Sequence, residues 1–481
     1  MTMLEDFRLR IFDRVAELGS FTAAARSLGV SQPAVSQNIA ELERFAGGRL
    51  FERSRGRAVL TERGLLFQEH AGAILAAYRR LDGTFRTPES ILLRNVLHEG
   101  RKTCILIRGE RFADLDAPAE CPAECVVEAD GLAILPSFYN THTHAAMTLM
   151  RGSADDLPLH TWIEDKVLPF EACLTPEDIR LGNDLAVKEM KATGSTFFAD
   201  MYFDPEEGVA AAEAAGIRAS IGISVMQGHP KGQGELLKDY IRNWRDPSGG
   251  RIQLMIAPHS VYKTDPAQLR RCADFARNNG LLLSIHLSET RKEVEDCLRE
   301  HGTTPVRYLD KLGFLGRDVV AAHCVHVDRE EWDILARRGV TVAHCPCSNM
   351  KLGSGRFPYE LAIASGCRIT IGTDGTASNN NLDMREEMKF AALLAKLNGD
   401  ASLLPAAEVF RWATRNGAEF FGIDAGVIAA GKQADALLID LASPRMQPCH
   451  DLISNWVYAA DSSVIRHVLC AGRILSPSAA R

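Results

Sequence analysis

No apolar run in the sequence approaches the ~20 residues needed to span a bilayer, which excludes membrane-spanning helices as organising elements. The stretch from Met1 to Arg10 mixes acids with bases and lacks the apolar core of a secretory signal, so a cytoplasmic location is expected. The twelve cysteines contain no Cys-x-x-Cys, and their scatter through 481 residues points to reduced thiols, not to a disulfide framework. Cys345-Pro346-Cys347 is too tight for a usual zinc knuckle and reads as a strand end. Lysine is absent from the first 86 residues, where 13 arginines face 10 acids, leaving 42 bases and 52 acids in the rest. A mildly basic head on an acidic body suggests two functions on one chain, although a balance of +3 does not by itself establish nucleic-acid binding. What is present, 46% hydrophobic and 24% charged residues, describes a soluble globular protein of two or more domains with ample core.

The most informative stretch is Leu135-Pro136-Ser137-Phe138-Tyr139-Asn140-Thr141-His142-Thr143-His144. The apolar run of residues 131–135 reads as a buried strand leading into it. On an extended chain, histidines at i and i+2 point to the same side. Two neutral imidazoles so placed at a strand end make a ready pair of metal ligands.

In the head, Leu4, Phe7, Ile11, Val15 and Leu18 recur at helical spacing, and Gly19-Ser20 ends that helix. Residues 22–28 form a short second helix, Gly29 gives a tight turn, and Ser31 caps a third helix over 33–45 with Pro33 in its first turn. Helix, glycine turn, helix is the helix-turn-helix plan. The second helix of the motif exposes Ser31, Gln32, Ser36, Gln37 and Asn38 near its start, short polar side chains able to reach base edges in a major groove. Arg49, Arg53, Arg55 and Arg57 surround a Gly56 turn, a wing suited to phosphate contacts. A long helix over 61–78 follows, and the 82–88 stretch breaks its pattern and reads as a linker.

Beyond the linker, short apolar runs at 91–93, 104–107 and 125–127 suggest a small sheet, and similar runs return at 434–439 and 464–469, so the two ends should pair into one β subdomain. Between them, strand candidates at 196–199, 219–225, 254–257, 281–286, 319–323, 340–343 and 369–373 alternate with helical stretches. This predicts a (β/α)8 barrel with its chemistry at the C-terminal strand ends. His286, His323 and Asp374 fall at such ends beside His142 and His144, a set able to hold a catalytic metal and leave a position for water.

The head closely resembles the DNA-binding domain of LysR-type transcription regulators, through Ser20-Phe21-Thr22-Ala23-Ala24-Ala25, Leu28-Gly29-Val30-Ser31-Gln32-Pro33-Ala34-Val35-Ser36, Leu50-Phe51-Glu52-Arg53 and Leu60-Thr61. In that family the long helix pairs two subunits. Residues 90–475 resemble the amidohydrolase superfamily, in its branch of methylthioadenosine and S-adenosylhomocysteine deaminases and triazine hydrolases. The motifs are Asn140-Thr141-His142-Thr143-His144, Pro258-His259-Ser260-Val261-Tyr262, His286-Leu287-Ser288-Glu289-Thr290, His323-Cys324-Val325-His326, Ser348-Asn349-Met350-Lys351-Leu352-Gly353-Ser354-Gly355 and Gly372-Thr373-Asp374-Gly375.

This resemblance implies His142, His144, His286 and Asp374 as ligands of one divalent ion, usually Zn2+, with Fe2+ or Mn2+ in relatives. It implies Glu289 as proton shuttle, His323 with Asp374 as the pair that orients the attacking water, and Glu171 and His259 as substrate-facing groups, Glu171 toward ribose hydroxyls. Met147 and Trp162 read as core packing, with the base pocket as the alternative, and His98, His160, His229, His301, His326, His344 and His450 as local or surface groups. One departure is plain. Family members that accept S-adenosylhomocysteine present arginines after the strand at 219–225, whereas residues 219–241 here hold no arginine and only Lys231 and Lys238 as cations.

The expectation is therefore a winged helix-turn-helix head (1–86), a β subdomain (87–135 and 425–481) and a hydrolase barrel (136–424) that deaminates an adenosine-type nucleoside or related aminated heterocycle. The presence of both Glu289 and His323 argues for deamination over triazine dehalogenation. A homodimer or higher homo-oligomer is expected, with DNA and a heterocyclic amine as partners. The competing reading is a transcription regulator that uses the hydrolase-like part as a small-molecule sensor.

Overall fold

The computed structural model describes residues 6–54, 57–85, 88–229, 231, 246, 248–397 and 400–475. Two compact units divide the chain, Met1–Pro88 and Glu89–Arg481.

In the first unit, α1 (Phe7–Leu18), α2 (Phe21–Leu28) and α3 (Gln32–Phe45) follow one another through short capped turns. Gly19 and Gly29 end α1 and α2 in the left-handed region, and the Ser20 and Ser31 hydroxyls accept the amides of Ala23 and Ala34 at the next helix starts. β1 (Phe51–Ser54) and β2 (Arg57–Leu60) pair antiparallel as the wing. Ile11, Phe12, Val15, Val35, Ile39 and Phe51 are fully or almost fully buried in one core, with the Phe12 ring 5.1 Å from Phe51 and 4.8 Å from Phe67.

α4 runs from Glu62 to Phe85, so it continues through the Asp82-Gly83 pair where the sequence reading ended the helix and placed a linker. A single interior glycine weakens a helix by only ~1 kcal/mol relative to alanine, too little to stop one of this length. Pro88 is the first residue of the stretch that forbids continuation.

The second unit combines a barrel with a flanking sheet. The flank is built from β3 (Ser90–His98), β4 (Arg101–Arg108), β5 (Arg111–Asp114), β6 (Cys125–Glu128) and β7 (Leu132–Pro136). The barrel strands are β8 (Phe138–Thr143), β9 (Ser195–Tyr202), β10 (Arg218–Val225), β11 (Ile252–Pro258), β12 (Leu282–Leu287), β13 (Val319–His323), β14 (Thr341–His344) and β15 (Arg368–Ile371). β16 (Ala436–Asp440), β17 (Ile465–Cys470) and β18 (Arg473–Leu475) return to the flank, where β16 pairs antiparallel with β7. The two ends of the hydrolase segment thus share one sheet, ordered β18-β17-β16-β7-β3-β4-β5 with β6 beside β3.

The barrel strands are parallel neighbours in sequence order. The first and last meet through side chains and backbone: Asn140 and Thr373 bond each other twice, Thr141 Oγ1 donates to Ile371 O at 2.9 Å, and the Asp374 amide donates to His142 O at 3.0 Å. A Cβ on Gly372 would lie 2.8–2.9 Å from His142 atoms, so only glycine permits this approach. The architecture is the (β/α)8 barrel, β subdomain and winged head that the sequence predicts.

One local reading needs correction. The apolar run before the histidines is not the strand that carries them: residues 132–136 belong to the flank as β7, and His142 lies on a separate strand, β8, begun after Ser137. The Ser137 hydroxyl bonds Thr196 Oγ1, and the Ser137 amide points at Asp435 O, so the chain changes sheets there. The barrel is tied to the flank by a buried cluster: Arg218 Nε donates to Asp435 Oδ2 at 2.8 Å, the Tyr139 hydroxyl donates to the same oxygen, and the Ala471 amide takes Oδ1.

Candidate active site

Side chains alternate across each barrel strand. Phe197, Ala199, Met255, Val320 and Ala343 fill the inner core, while Phe198, Leu254, Ile256, Val319, Ala321 and Val342 pack outward against the helices. On β12, Ile285 and Leu287 face out, so His286 between them faces in. The same rule would turn His323 outward with Val319 and Ala321. It does not, because His323 and Cys324 adopt φ of +72° and +49° and swing the imidazole to the barrel mouth. Asp374 (φ +61°) and Ser288 (φ +50°), beside Glu289, are redirected in the same way. Such left-handed residues cost about 1–3 kcal/mol each and persist where surrounding structure holds them.

These turns gather five groups. His144 Nε2 lies 3.2 Å from His286 Nε2 and 3.2 Å from Asp374 Oδ1, and His142 Nε2 lies 3.7 Å from the same oxygen. One ligand atom from each of His142, His144 and His286 falls within 4.8 Å of the others, as do those of His142, His323 and Asp374.

The donor set fits a divalent ion. His144 Nδ1 faces Met201 O at 2.6 Å and His286 Nδ1 faces His259 O at 2.7 Å, an arrangement that holds the ring proton outward and leaves each Nε2 lone pair inward. Among the described residues His142 Nε2, buried, finds no hydrogen-bond partner. Burial and neighbouring imidazoles push His142 and His286 well below the ordinary histidine range, so both stay neutral donors. Burial opposes a proton on His144 too, but the Asp374 carboxylate outweighs it and lifts His144 to about 9, so the proton its Nε2 shares with Asp374 is the one a bound cation would displace to free that lone pair. Burial would raise Asp374, and the hydrogen bond and charge of His144, with His323 and His142, take it well below the usual carboxylate range. Nitrogen and oxygen donors of this kind suit zinc, and also iron or manganese.

Glu289 sits 3.7 Å from the cluster, Oε2 to His323 Nε2, and burial raises its carboxyl above the usual range. Both groups line a cavity of about 680 Å³, open mouth included, together with His144, His259, His286 and Asp374. Much of its remaining wall is apolar, from Leu159, Ile163, Val167, Met201, Met226 and Leu352, with Tyr202, Ser224 and Tyr262 as polar interruptions. Met147 and Trp162 line it as well, so both belong to the pocket and not to packing alone. Glu171 lines the same cavity beside Tyr202, and burial pushes it up to about 7. His259, with Nδ1 3.0 Å from Ser260 Oγ, is pushed down to about 3 by burial and the nearby imidazole. Among the described residues no lysine or arginine lines the cavity. Lys231 is paired with Asp204 at 2.7 Å, and Lys238 lies outside the described residues.

Sequence reasoning passed over several neighbours of this cluster. Asp200, at the end of β9, accepts the Ala145 amide at 2.7 Å, and the strand-end rule that found Asp374 would have found it. Glu293 accepts the amides of Ser288 and Glu289 at 2.9 and 2.8 Å, which pins the loop that carries Glu289. The hydroxyls of Ser348 and Ser354 and the side-chain amide of Asn349 also reach the cluster; the resemblance marks their stretch as a motif, but the sequence assigned them no role. Of the other histidines, His229 stacks 4.0 Å from Phe203 and His344 bonds the Tyr359 hydroxyl.

In the head, Gln37 is exposed at the start of α3 and Gln32 donates to Ser36 Oγ at 3.0 Å, while Ser31 caps the helix. Asn38 turns back onto Ala34 O. The Arg53 side chain and all of Arg55 lie outside the described residues. Among the described residues no helix is long and apolar enough to cross a membrane.

Known proteins resemble both units. Residues 133–475 match the amidohydrolase family, and residues 7–65 match the bacterial regulatory helix-turn-helix protein, lysR family. A 5-methylthioadenosine/S-adenosylhomocysteine deaminase of Archaeoglobus fulgidus is 44% identical over 81% of this chain and 90% of its own length. A 5'-deoxyadenosine deaminase of Methanosarcina mazei is 41% identical over 78% of this chain and 88% of its own. The crystal structure of a zinc-bound adenosine deaminase from Xanthomonas campestris superposes with a TM-score of 0.74 at 33% identity, over 80% of this chain and 92% of that one. The chain belongs to the amidohydrolase family, and carries ahead of its hydrolase barrel a helix-turn-helix segment of the lysR type.

Proposed function

We propose that the chain is a metal-dependent aminohydrolase that deaminates an adenosine-type nucleoside and carries a DNA-binding regulatory head. The observation that carries the reading is Glu289, buried and facing His323 at the mouth of an apolar cavity, with a second buried carboxylate, Glu171, on its wall. His142, His144, His286 and Asp374 hold one divalent ion, with zinc the first choice and iron or manganese the alternatives. Bound there, such an ion supplies the acidity that brings a water near a pKa of 7.

The chain's own groups do the rest. Asp374 and His323 orient the water toward the amino-bearing carbon. Glu289 takes a proton from that water, gives it to the neighbouring ring nitrogen, and then delivers the second proton to the departing ammonia, so amine and water become carbonyl and ammonia. Its raised pKa suits both directions of transfer. Glu171 accepts hydrogen bonds from the ribose hydroxyls, and His259 lines the base side as a neutral imidazole.

The apolar wall, and the engagement of Lys231 by Asp204, favour a small uncharged 5' group over the charged amino-acid tail of S-adenosylhomocysteine. The functional division is the head (1–86), the β subdomain (87–135 and 425–481) and the barrel (136–424), in a cytoplasmic homodimer or higher homo-oligomer whose heads read paired half-sites through Ser31, Gln32, Ser36 and Gln37, with Arg53 and Arg55 on phosphates.

The test is ammonia release by the zinc-loaded protein from 5'-methylthioadenosine, 5'-deoxyadenosine, adenosine and S-adenosylhomocysteine. Turnover of the first two above the last, abolished by Glu289→Gln, supports the reading. Binding without turnover would favour the sensor, and neither would remove the substrate class.

A further inference from the structure

One segment touches three reacting side chains. Ser348 and Asn349 sit on the short helix Pro346–Lys351 that follows β14, and Ser354 lies just beyond it. Ser348 Oγ donates to Asp374 Oδ2 at 2.6 Å and leaves Oδ1 facing His144 and His142. Asn349 Oδ1 lies 2.9 Å from His323 Nδ1 and leaves Nε2 facing Glu289. Ser354 Oγ donates to Glu289 Oε1 at 3.0 Å and leaves Oε2 facing His323. In each pair the segment engages the atom turned away from the reaction and leaves the other turned toward it. All three residues are almost fully buried. The segment is itself held: the Cys347 amide donates to Glu387 Oε2 at 3.1 Å, the Ser354 amide to Asn349 O at 2.9 Å, and His326 Nε2 meets Ser354 O at 2.6 Å.

We propose that this segment is one positioning clamp for the reaction, with Ser348, Asn349 and Ser354 as positioning residues for Asp374, His323 and Glu289. The proposal rests on the deaminase reading for its kinetic consequence, and on geometry alone for the placement. An accepting Oδ1 at Asn349 holds the His323 ring proton on Nδ1 and leaves Nε2 turned to where the water must be held. A hydroxyl on one carboxylate oxygen fixes which oxygen remains to act. Outer partners of this sort typically contribute 10–100-fold in metal affinity or activity.

The test uses the full-length, metal-loaded protein with 5'-methylthioadenosine and four variants, Ser348→Ala, Asn349→Leu, Asn349→Asp and Ser354→Ala, alongside thermal midpoints and cobalt(II) titrations. Asn349→Leu should lower kcat about 10–100-fold with KM within about threefold. Asn349→Asp, which keeps the acceptor, should be at least about tenfold faster than Asn349→Leu without being more stable. Ser354→Ala should lower kcat by about tenfold or more at unchanged cobalt affinity, whereas Ser348→Ala should weaken cobalt binding about 10–100-fold at an unchanged midpoint of the metal-free protein.

Full kcat in Asn349→Leu or Ser354→Ala, equal loss in Asn349→Asp and Asn349→Leu, or unaltered cobalt affinity in Ser348→Ala would each overturn the clamp. If the wild type turns over none of the nucleosides, the deaminase reading falls. The clamp is then decided by cobalt affinity and the 15N imidazole shifts of His323, assigned with His323→Gln. It stands only if Ser348→Ala weakens cobalt binding and Asn349→Leu moves the His323 tautomer.

Discussion

The start of α3 and the mouth of the barrel both display polar side chains, and they hold them in opposite ways. On α3, Gln32 and Gln37 stand exposed on a regular helix whose cap is satisfied within the motif by Ser31. At the barrel mouth, His142, His323, Glu289 and Asp374 are buried, and three of the turns that aim them use left-handed backbone. A polar group in water already has partners, so a surface residue acts almost independently of its neighbours. A buried one is worth only what its partners make it. The head should therefore respond to mutation additively and the barrel as a unit.

The largest effect should come from Glu289→Gln. The amide keeps the shape and a hydrogen-bonding oxygen but cannot carry a proton, so kcat should fall by about 10³-fold with KM nearly unchanged, read by ammonia release. Adding Asn349→Leu to it should cost little more, because residues that act as one unit lose their effect together. Full additivity of the two would break the comparison at its barrel side.

The next effect asks whether burial alone makes a coupled network. Asp435→Ala leaves the Arg218 guanidinium without its buried carboxylate, at the junction of barrel and flank and outside the cavity. Removing one partner of such a pair typically costs about 3–5 kcal/mol. Urea unfolding followed in the barrel should show that loss, while kcat per folded molecule stays the same. A fall in kcat without a fall in stability would mean that the junction reaches the chemistry.

Much of this was legible in the sequence, for definite reasons. The i, i+2 spacing of His142 and His144 and the inward position of His286 follow from a period of two, which survives without tertiary information, and Asp374 was found because it closes an apolar run. The head was legible because caps and glycine turns are local. The sequence put a boundary at 135/136 but did not separate β7 from β8 as two strands, since an apolar run of strand length looks the same in either sheet. His323 was placed at a strand end, but its inward turn depends on a positive φ that composition does not announce. Ser348, Asn349 and Ser354 stood in a stretch marked by resemblance, but their role was not legible, because it is set by the three side chains they meet, each from a different strand end. The extension of α4 through Gly83 reflects the weakness of one glycine against a long helix.

On the head, Gln32→Ala and Gln37→Ala should each weaken binding to the cognate site by about 1–3 kcal/mol if they read base edges. The double variant should lose the sum to within about 0.5 kcal/mol. Titrations at fixed salt would measure both, and deaminase turnover should not change. A strongly non-additive double variant would show that the exposed helix face is as coupled as the barrel mouth.

The smallest effect is also the most exacting, because it sets function against stability within one side chain. Glu171 is buried and pushed up to about 7, from an ordinary value near 4.5. Its folded form holds a proton that the unfolded chain releases, so its contribution to stability is complete below about pH 4.5 and is lost as pH rises through about 7. Ribose hydroxyls call for the ionised form, so substrate binding should tighten over the same interval. Glu171→Gln should raise KM by several-fold, on the order of 1 kcal/mol for a lost charged hydrogen bond, and flatten its pH dependence between 6 and 8. It should also become progressively more stable relative to wild type as pH increases from 4.5 to 7. The two curves have one cause and must move together. A KM that ignores pH in the wild type, while the stability difference still grows, would leave Glu171 a buried structural carboxyl and take ribose recognition away from it.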